Sequence, residues 1–343
     1  MYKTIEELVT RVDERNSDGT VSELIGVSID KCFIKSVANT NGTDLSKYKI
    51  IRKNDFAVSL MQVSRDGKIP VARLEEYEEA IMSPAYPIFR VKDKNIILPD
   101  YLEMWFKRPE FDREAAFIAV GGVRGSMPWE EFAKMKLPVP SIEKQQKIVN
   151  AYKIVTDRIA LKQRINDNLQ QQLCLIYENM MCKAQYGNIE GTFTVASKLT
   201  DVVTGKEDAN FASPNGKYKF FTCSNDTLNC DEYVFDSSAI LIAGNGDFNV
   251  KHYSGKFNAY QRTYVLIPDH QYYGLLYFAS LYQINSFKSA SSGSIVKFIT
   301  KGDIENIPVF IPNDEHILNE LNRLLALQEK NQAENEELSS LRD

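Results

Sequence analysis

One stretch in the second half of the chain concentrates side chains that could read DNA. The segment AGNGDFNVKHYSGKFNAYQRTYVL, residues 243–266, sets amides, lysines, a tyrosine and an arginine between two apolar strand candidates. Amide and guanidinium groups can pair with base edges, while lysines and backbone N–H groups hold phosphates. The candidate contacts are Asn245, Asn249, Lys251, Tyr260, Gln261 and Arg262.

The first half of the chain offers a comparable set. In residues 59–91 the candidate contacts are Gln62, Arg65, Lys68, Arg73 and Tyr86. Two Gly-Ser segments bring hydroxyls, backbone N–H groups and a cation together, as a phosphate site requires, with Arg124 and Ser126 in one and Ser292, Ser294 and Lys297 in the other. On composition alone the alternative is simpler: Tyr260 and Tyr264 belong to a core, and the rest is loop polarity and glycine turn chemistry.

The sequence lacks the residue patterns that common catalytic sites need. It has no GxxxxGK[ST] loop, no GxSxG elbow, no HExxH pair and no Asn-Pro-Pro-aromatic segment. Its five cysteines include no CxxC pair, and Cys223, Cys230 and His252 match no ligand spacing. We therefore expect neither intrinsic enzyme activity nor a metal site in this chain.

Length and composition bound the class of protein. A chain of 343 residues suits two or three domains, and 43% hydrophobic with 25% charged residues is typical of a folded globular protein. The formal net charge of -5 argues against binding nucleic acid by bulk electrostatics alone, which leaves only local patches. Without a long apolar run or a signal-peptide start, the sequence predicts a cytoplasmic protein.

An internal repeat predicts the architecture. The string GSMPWEEFAKMKLPVPSIEKQQKIV begins at residue 125, and GSIVKFITKGDIENIPVFIPNDEHIL begins at residue 293. Both give Gly-Ser, an aromatic residue (Phe132 or Phe298), an apolar-Pro-Val step and a helix start. Because each copy follows a β-rich stretch and an amphipathic helix, we expect an α+β protein with two pseudo-symmetric units.

A long helix is predicted after each copy. From Ser141, placed as N-cap, no Gly or Pro interrupts the chain until Gly187, and a second polar-apolar run follows Pro312. At 1.5 Å per residue the first helix would be roughly 55 to 60 Å long. Apolar residues at helical spacing form its seam and that of the second helix: Ile148, Tyr152, Val155, Ile159, Ile165, Leu169, Leu173 and Ile176, then Leu321, Leu324 and Leu338.

Polar residues in the middle of both helices predict how they pair. Lys162 and Asn166 interrupt the first seam, and Gln328, Asn331 and Asn335 interrupt the second. Antiparallel pairing would bring these polar middles together, where they fix register and orientation. The two units would then lie at opposite ends of a two-helix rod. The alternative is that each helix packs on its own unit.

Together these features resemble a specificity (S) subunit of a Type I restriction-modification system. The resemblance rests on LPVPSIEKQQKIV at the start of the first helix, on LIGVSIDKCFIKS, DLSKYKII and MSPAYPIF in the first unit, and on FFTCSNDTLNCDEYVFDSSAILIAGNGDFNVKHYSGKFNAYQRTYVL in the second. It implies target-recognition domains over residues 1–140 and 187–312, with spacer helices over residues 141–186 and 313–343.

The resemblance also implies a function. Each domain would read one half of a bipartite site in double-stranded DNA, while the helices set the spacer and dock two modification subunits. Restriction subunits would join in the full complex, and S-adenosylmethionine, ATP and Mg would belong to the partners rather than to this non-catalytic chain. The second helix ends earlier than the family pattern, which leaves the docking of one modification subunit open.

Two other classes of function compete with this interpretation. A coiled-coil scaffold whose globular ends bind protein would show the same repeat and the same helices. An enzyme of unfamiliar type would have to act on DNA or a small substrate by itself. Gel-shift experiments with random duplex pools, with and without modification subunits, separate DNA recognition from the scaffold role.

Overall fold

A computed structural model of the chain describes residues 1–36, 43–61, 63–120, 125–246, 248–290 and 298–342. The chain separates into two compact units, Met1–Ile154 and Val155–Asp343. Each unit combines sheets with helices, which confirms the predicted α+β class.

The first unit contains short strands and short helices. Its strands are β1 (Tyr2–Thr4), β2 (Val9–Val12), β3 (Ile25–Val27), β4 (Phe33–Lys35), β5 (Lys49–Arg52), β6 (Phe56–Val58), β7 (Val71–Arg73), β8 (Glu79–Met82), β9 (Ile88–Val91) and β10 (Lys136–Pro138). Its helices are α1 (Ile5–Leu8), α2 (Val63–Asp66), α3 (Pro99–Phe106), α4 (Pro109–Ile118), α5 (Trp129–Lys134) and the first turns of α6 (Ile142–Gln185). An antiparallel sheet has the strand order β2-β9-β6-β7, and β1-β10, β3-β4 and β5-β8 form two-stranded ribbons.

Aromatic rings fill the core of the first unit. Phe56 on β6 and Phe89 on β9 stack with their centroids 5.4 Å apart, and Phe106 of α3 meets Phe56 edge-on at 5.9 Å. Phe111 and Phe132 complete the cluster from α4 and α5. Large rings in such contacts bury much apolar area, so this core holds the sheet against the helices.

The start of α6 is fastened to the first unit. Ser141 Oγ accepts a hydrogen bond from Lys144 N at 3.4 Å, in the predicted capping position. Gln145 is fully buried: its Oε1 accepts from Leu98 N, and its Nε2 donates to the carbonyls of Ile96 and Pro140, each at 2.9 Å. One amide thus satisfies three backbone groups around the first turn of the helix.

The second unit has longer elements. Its strands are β11 (Gly191–Val195), β12 (Val202–Thr204), β13 (Tyr218–Phe221), β14 (Leu228–Cys230), β15 (Phe235–Ala243), β16 (Val250–Ala259), β17 (Thr263–Leu266) and β18 (Pro308–Pro312). Its helices are the remainder of α6, then α7 (Tyr273–Ala290), α8 (Lys301–Glu305) and α9 (Glu315–Arg342). The main sheet has the strand order β12-β17-β15-β16-β13-β14, with β13 and β16 parallel and the other pairs antiparallel. β11 and β18 form a separate ribbon.

Helices α6 and α9 share the core of the second unit. Leu169 and Leu173 of α6 lie in the same buried cluster as Leu321 and Leu324 of α9, and Ile176 packs at its margin. Helix α7 adds Leu275, Phe278 and neighbouring apolar residues to this cluster. The stability of helices as long as α6 and α9 comes mainly from such tertiary packing.

A polar layer connects the middles of α6 and α9, as the sequence predicts for antiparallel pairing. Asn331 Nδ2 donates to Asn166 Oδ1 at 3.0 Å, and Lys162 Nζ donates to Asn331 Oδ1 at 3.0 Å. Asn335 Nδ2 reaches the carbonyl of Ile159 at 3.4 Å, and Lys162 Nζ lies 2.6 Å from a carboxylate oxygen of Glu334. Partners that advance along α6 retreat along α9, which confirms the antiparallel arrangement within this unit.

The seam of the helix pair differs from the predicted one at two positions. Ile165 is 38% exposed, because its neighbour Asn166 takes the buried position. Ile148 packs against the core of the first unit. Tyr152, Val155, Ile159 and Leu338 are half-buried.

Candidate nucleic-acid interface

Three connections of the second unit are hydrogen-bonded to one another; we call residues 222–227, 244–246 and 260–262 the loop cluster. Gly244 N donates to the carbonyl of Arg262 at 2.9 Å, and Cys223 Sγ donates to the same carbonyl at 3.4 Å. Tyr260 N donates to Phe221 O at 2.9 Å. The turn between β16 and β17 is therefore held against the ends of β13 and β15.

A cleft of about 480 Å³ opens beside this turn. Asn245, Gln261 and Arg262 contribute to its lining, so the structure brings together three of the predicted contact residues. The remaining lining residues are Thr204, Gly244, Tyr264, Phe298 and Ile299, and none of the described lining residues is acidic.

The cleft presents donors from a fixed backbone. Gln261 and Arg262 are exposed, and within the described part of the chain neither side chain has a hydrogen bond or ion pair. A guanidinium and an amide that no neighbour in the described part of the chain engages have their bidentate donor and acceptor pattern available for a base edge. This geometry favours recognition over a purely structural role.

Three further predicted contacts of the second unit hold the loop cluster in place. Asn249 Nδ2 donates to Cys223 O at 2.9 Å, and Lys251 Nζ donates to Ser224 O at 2.5 Å. Burial lowers the pKa of Lys251 despite the nearby charge of Asp226. Tyr260 is half-buried and acts through its backbone. We therefore interpret these residues as supports for the loop between β13 and β14.

In the first unit Arg65 lies beside the first Gly-Ser segment. Gly125 has a φ of +74°, and a Cβ there would lie 2.6 Å from Ser64 Oγ, so only glycine fits this approach. Met127 N donates to Leu60 O at 2.8 Å. Arg65 is exposed and pairs with Asp66 at 2.9 Å, and Ser126 is half-buried next to Gly125.

Arg73, a predicted contact, is held by carboxylates, which favours a structural role for its side chain. Its side chain is only 6% exposed, and its guanidinium lies 2.5 Å from Glu75, 2.9 Å from Asp100 and 2.8 Å from Glu103. Burial by itself would lower its pKa, but the charges of Glu103 and Asp100 raise it overall. Two of these carboxylates come from α3, a neighbour that the local sequence pattern does not reveal.

The remaining predicted contacts of the first unit are placed differently from one another. Lys68 is exposed next to the turn at Gly67. Tyr86 is half-buried against a small apolar cluster, and its carbonyl accepts from Lys49 Nζ at 3.1 Å. Five predicted contacts lie outside the described residues: Gln62, Arg124, Ser292, Ser294 and Lys297.

Phe298 lines the cleft although its position in the sequence did not predict a contact. The sequence repeat aligns Phe298 with Phe132, but in the structure Phe132 is fully buried whereas Phe298 is 64% exposed. In the structure the position of Phe132 is taken by Ile304. Each is the fourth residue of the short helix, α5 or α8, that precedes the last strand of its unit, and each is fully buried. The high exposure of Phe298 was therefore not visible from the repeat.

A hydrogen-bonded trio connects α9 to the rest of the second unit. Glu329 Oε1 on α9 lies 2.8 Å from His252 Nδ1 on β16 and accepts from the Tyr273 hydroxyl of α7, also at 2.8 Å. Burial by itself would raise the pKa of Glu329, but the hydrogen bond and charge of His252 lower it overall. Burial raises the pKa of Tyr273, which keeps its hydroxyl a donor.

The described residues include no group of three His, Cys, Asp or Glu side chains placed to hold a metal ion. Within the same ranges, no helix has the length and apolar content needed to cross a bilayer.

Comparison with known proteins identifies the family. The Type I restriction modification DNA specificity domain matches the chain twice, over residues 24–171 and 194–340. The chain belongs to this family, and the resemblance found in the sequence is confirmed.

Two individual relatives illustrate the match. The specificity subunit of the Type I restriction enzyme EcoDI from Escherichia coli is 40% identical over 147 residues, which are 42% of this chain and 33% of that protein. The matched region thus spans a third of the length of that relative. The S subunit of the Type I restriction-modification system from M. genitalium shares the fold, with a TM-score of 0.63 and 14% identity over 100% of this chain and 94% of that one.

Proposed function

We propose that this chain is the subunit that recognises the DNA sequence for a Type I restriction-modification complex. Each unit reads one half of a bipartite double-stranded target. The observation that carries the proposal is the cleft of the second unit, where Gln261 and Arg262 stand unpaired, within the described chain, on a clamped turn. A guanidinium and an amide on a fixed backbone, in a cleft whose described lining residues include no carboxylate, suit base edges.

The charge distribution supports local rather than general attraction to DNA. The chain has a formal net charge of -5, so its average surface does not attract phosphates. Arg65 beside Gly125, and Arg262 in the cleft, are exposed cations in or next to the predicted contact segments, and Lys68 is exposed three residues after Arg65. We infer that the partner subunits supply much of the positive surface that encloses the duplex.

The helices give the proposal its spacing function. The polar layer at Asn166 and Asn331 allows one register between α6 and α9 and penalises slippage, because slipping would bury unpaired amides. A pair of helices with one register has one length. We propose that this length determines the spacer between the half-sites.

Docking of two modification subunits completes the proposal. Leu161 and Leu175 of α6 are 53% and 64% exposed and stand two heptads apart, hence on one face of the helix. Exposed leucines on one face of a helix suit contact with an apolar partner surface. Methyl transfer with S-adenosylmethionine and ATP- and Mg-dependent restriction would then belong to the partner subunits, in a cytoplasmic assembly in which this chain is not catalytic.

Methylome sequencing tests this function. Cells that carry the complete system should show adenine methylation at one bipartite motif, and cells lacking only this chain should show none. Purified chain with modification subunits should select the same motif from random duplexes. A motif that persists without the chain, or selection of a protein ligand with no preference among duplexes, would contradict the proposal.

A further inference from the structure

Phe298 and Ser126 occupy equivalent places in the two units. The residue after each donates a backbone hydrogen bond to the chain leaving a central strand: Met127 N to Leu60 O after β6, and Ile299 N to Gly244 O after β15, both at 2.8 Å. Met127 and Ile299 are buried, at 2% and 3% exposure. The same backbone position therefore presents a small hydroxyl in the first unit and a large aromatic ring in the second.

The backbone next to Phe298 is fixed. Ile299 N donates to Gly244 O, and Ile299 O accepts from the Tyr264 hydroxyl at 3.0 Å. The ring itself lines the cleft with Gln261 and Arg262. An exposed aromatic ring costs solvation free energy, so an exposed ring that a fixed backbone presents to a polar cleft indicates a planar ligand that covers it.

The rest of the cleft narrows the chemistry of that ligand. Asn245 and Gln261 offer amides and Arg262 offers a guanidinium, the groups that match the donors and acceptors of base edges. One aromatic face with hydrogen-bonding groups around it is the composition with which proteins hold an unstacked base.

We propose that the cleft of the second unit receives one base drawn out of the duplex stack, with its face on the Phe298 ring and its edge toward Gln261 and Arg262. The inference rests on the proposed DNA-reading function and adds a mode of reading to it. Because Ser126 stands at the equivalent place, the first unit reads its half-site without such stacking.

The test uses the full chain with its modification subunits and duplexes that carry the target found by methylome sequencing. At each position of both half-sites, the opposing nucleotide is replaced by an abasic residue, because an unpaired base costs less to unstack. At positions other than the methylated adenines, which the modification subunits must unstack themselves, wild-type protein should bind several-fold more tightly at one position of the second half-site and at none of the first.

Substitutions at Phe298 make the test specific. Phe298→Ala should weaken binding to the intact target by roughly 5- to 100-fold and abolish the gain from the abasic residue, whereas Phe298→Trp should keep both. Phe193→Ala removes a ring of the same unit that is 59% exposed but lies outside the cleft, and it should change neither quantity.

The outcomes separate the two proposals. Phe298→Ala with wild-type affinity, or weaker binding with no position of gain in the wild type, overturns the unstacked base and leaves sequence reading intact. Weaker assembly with the modification subunits in place of weaker DNA binding would show that a protein covers the ring. Wild-type protein with no sequence preference would overturn the proposed function and this inference together.

Discussion

Asn166 of α6 and Asn331 of α9 form a direct amide pair, with 3.0 Å between Asn331 Nδ2 and Asn166 Oδ1. Both side chains are buried, and Lys162 caps the pair from α6. A pair of this kind contributes little net stability but opposes every other register, because displaced amides would lose their partners inside an apolar seam.

Asn331→Leu should lower the free energy of unfolding by about 1 to 3 kcal/mol, since it removes the donor to Asn166 Oδ1 and an acceptor of Lys162 Nζ. The double variant Asn166→Leu/Asn331→Leu should recover part of that loss through apolar packing. Denaturant unfolding of the four proteins of the cycle measures the coupling. Strictly additive losses would show that the two amides do not act as a pair.

Lengthening the helix pair should change the spacer and nothing else. Seven residues inserted in α6 between Ile159 and Leu173, with a matching heptad in α9 beside Asn331, keep the seam in phase. The methylated motif should keep both half-sites and gain spacer length. Seven residues inserted at Gly187, in the turn after α6, serve as the control and should leave the motif unchanged. A motif with the old spacer in the first variant would show that the length of the helix pair does not determine the spacer.

Arg262→Ala should weaken recognition of the second half-site by about 1 to 3 kcal/mol and keep the preference for the first. Arg262→Lys should recover more affinity than selectivity, because an ammonium lacks the planar fork of donors that fixes the geometry of a guanidinium on a base edge. Arg323→Ala removes the same charge from α9, where Arg323 pairs with Glu320 at 2.7 Å, and should have little effect. Selection from duplexes randomised in one half-site at a time measures each effect; equal loss in both half-sites contradicts modular reading.

Arg73→Met should act on stability and spare DNA contacts. Removing the guanidinium leaves Lys107 as the cation that pairs with the largely buried Glu103, and the lost hydrogen bonds should cost about 1 to 3 kcal/mol. Thermal unfolding of the first unit should shift downward, while half-site preference measured well below the midpoint stays unchanged. Arg65→Met, at the exposed helix α2, should show the opposite pattern. Loss of half-site preference without loss of thermal stability would show that Arg73 contacts DNA.

Acid should loosen α9 from the second unit through Glu329. Its pKa in the folded protein lies below the ordinary 4.5, so its stabilising contribution is present above that pH and is lost as the pH falls through the lowered value. Glu329→Gln should therefore flatten the loss of stability on acidification below about pH 4.5. Thermal melts across this range measure the slope, with Glu315→Gln, exposed on the same helix, as control. An unchanged slope would exclude the trio as the source.

The helices and their pairing could be predicted from the sequence because their signals are local. Ser141, the absence of Gly and Pro, and the apolar spacing predict α6, and the polar interruptions predict which residues meet. The prediction that Ile165 belongs to the seam was wrong. Apolar spacing alone does not determine which of two adjacent residues of a helix is buried. Here Asn166, which pairs with Asn331, is buried and Ile165 is exposed.

The site residues were harder to predict from the sequence. Polar loop residues that contact a ligand are of the same types as those that support the loop. Asn249 and Lys251 are held by carbonyls of a loop about 26 residues earlier in the chain, and Arg73 by carboxylates about 30 residues later. Arg262 and Lys251 are both cations in the same segment, and the sequence predicts both as DNA contacts. Only the structure shows that one is free among the described residues and the other engaged.

The buried amide of Gln145 gives the long helix a fixed phase at its beginning. Since three backbone groups of the first unit hold that side chain, the first turn cannot rotate about its own axis without breaking all three bonds. Every residue added farther along α6 would then turn the remainder of the helix by about 100°. Changes of length that preserve orientation can accordingly accumulate only in whole helical repeats, and single insertions or deletions would be felt as rotation.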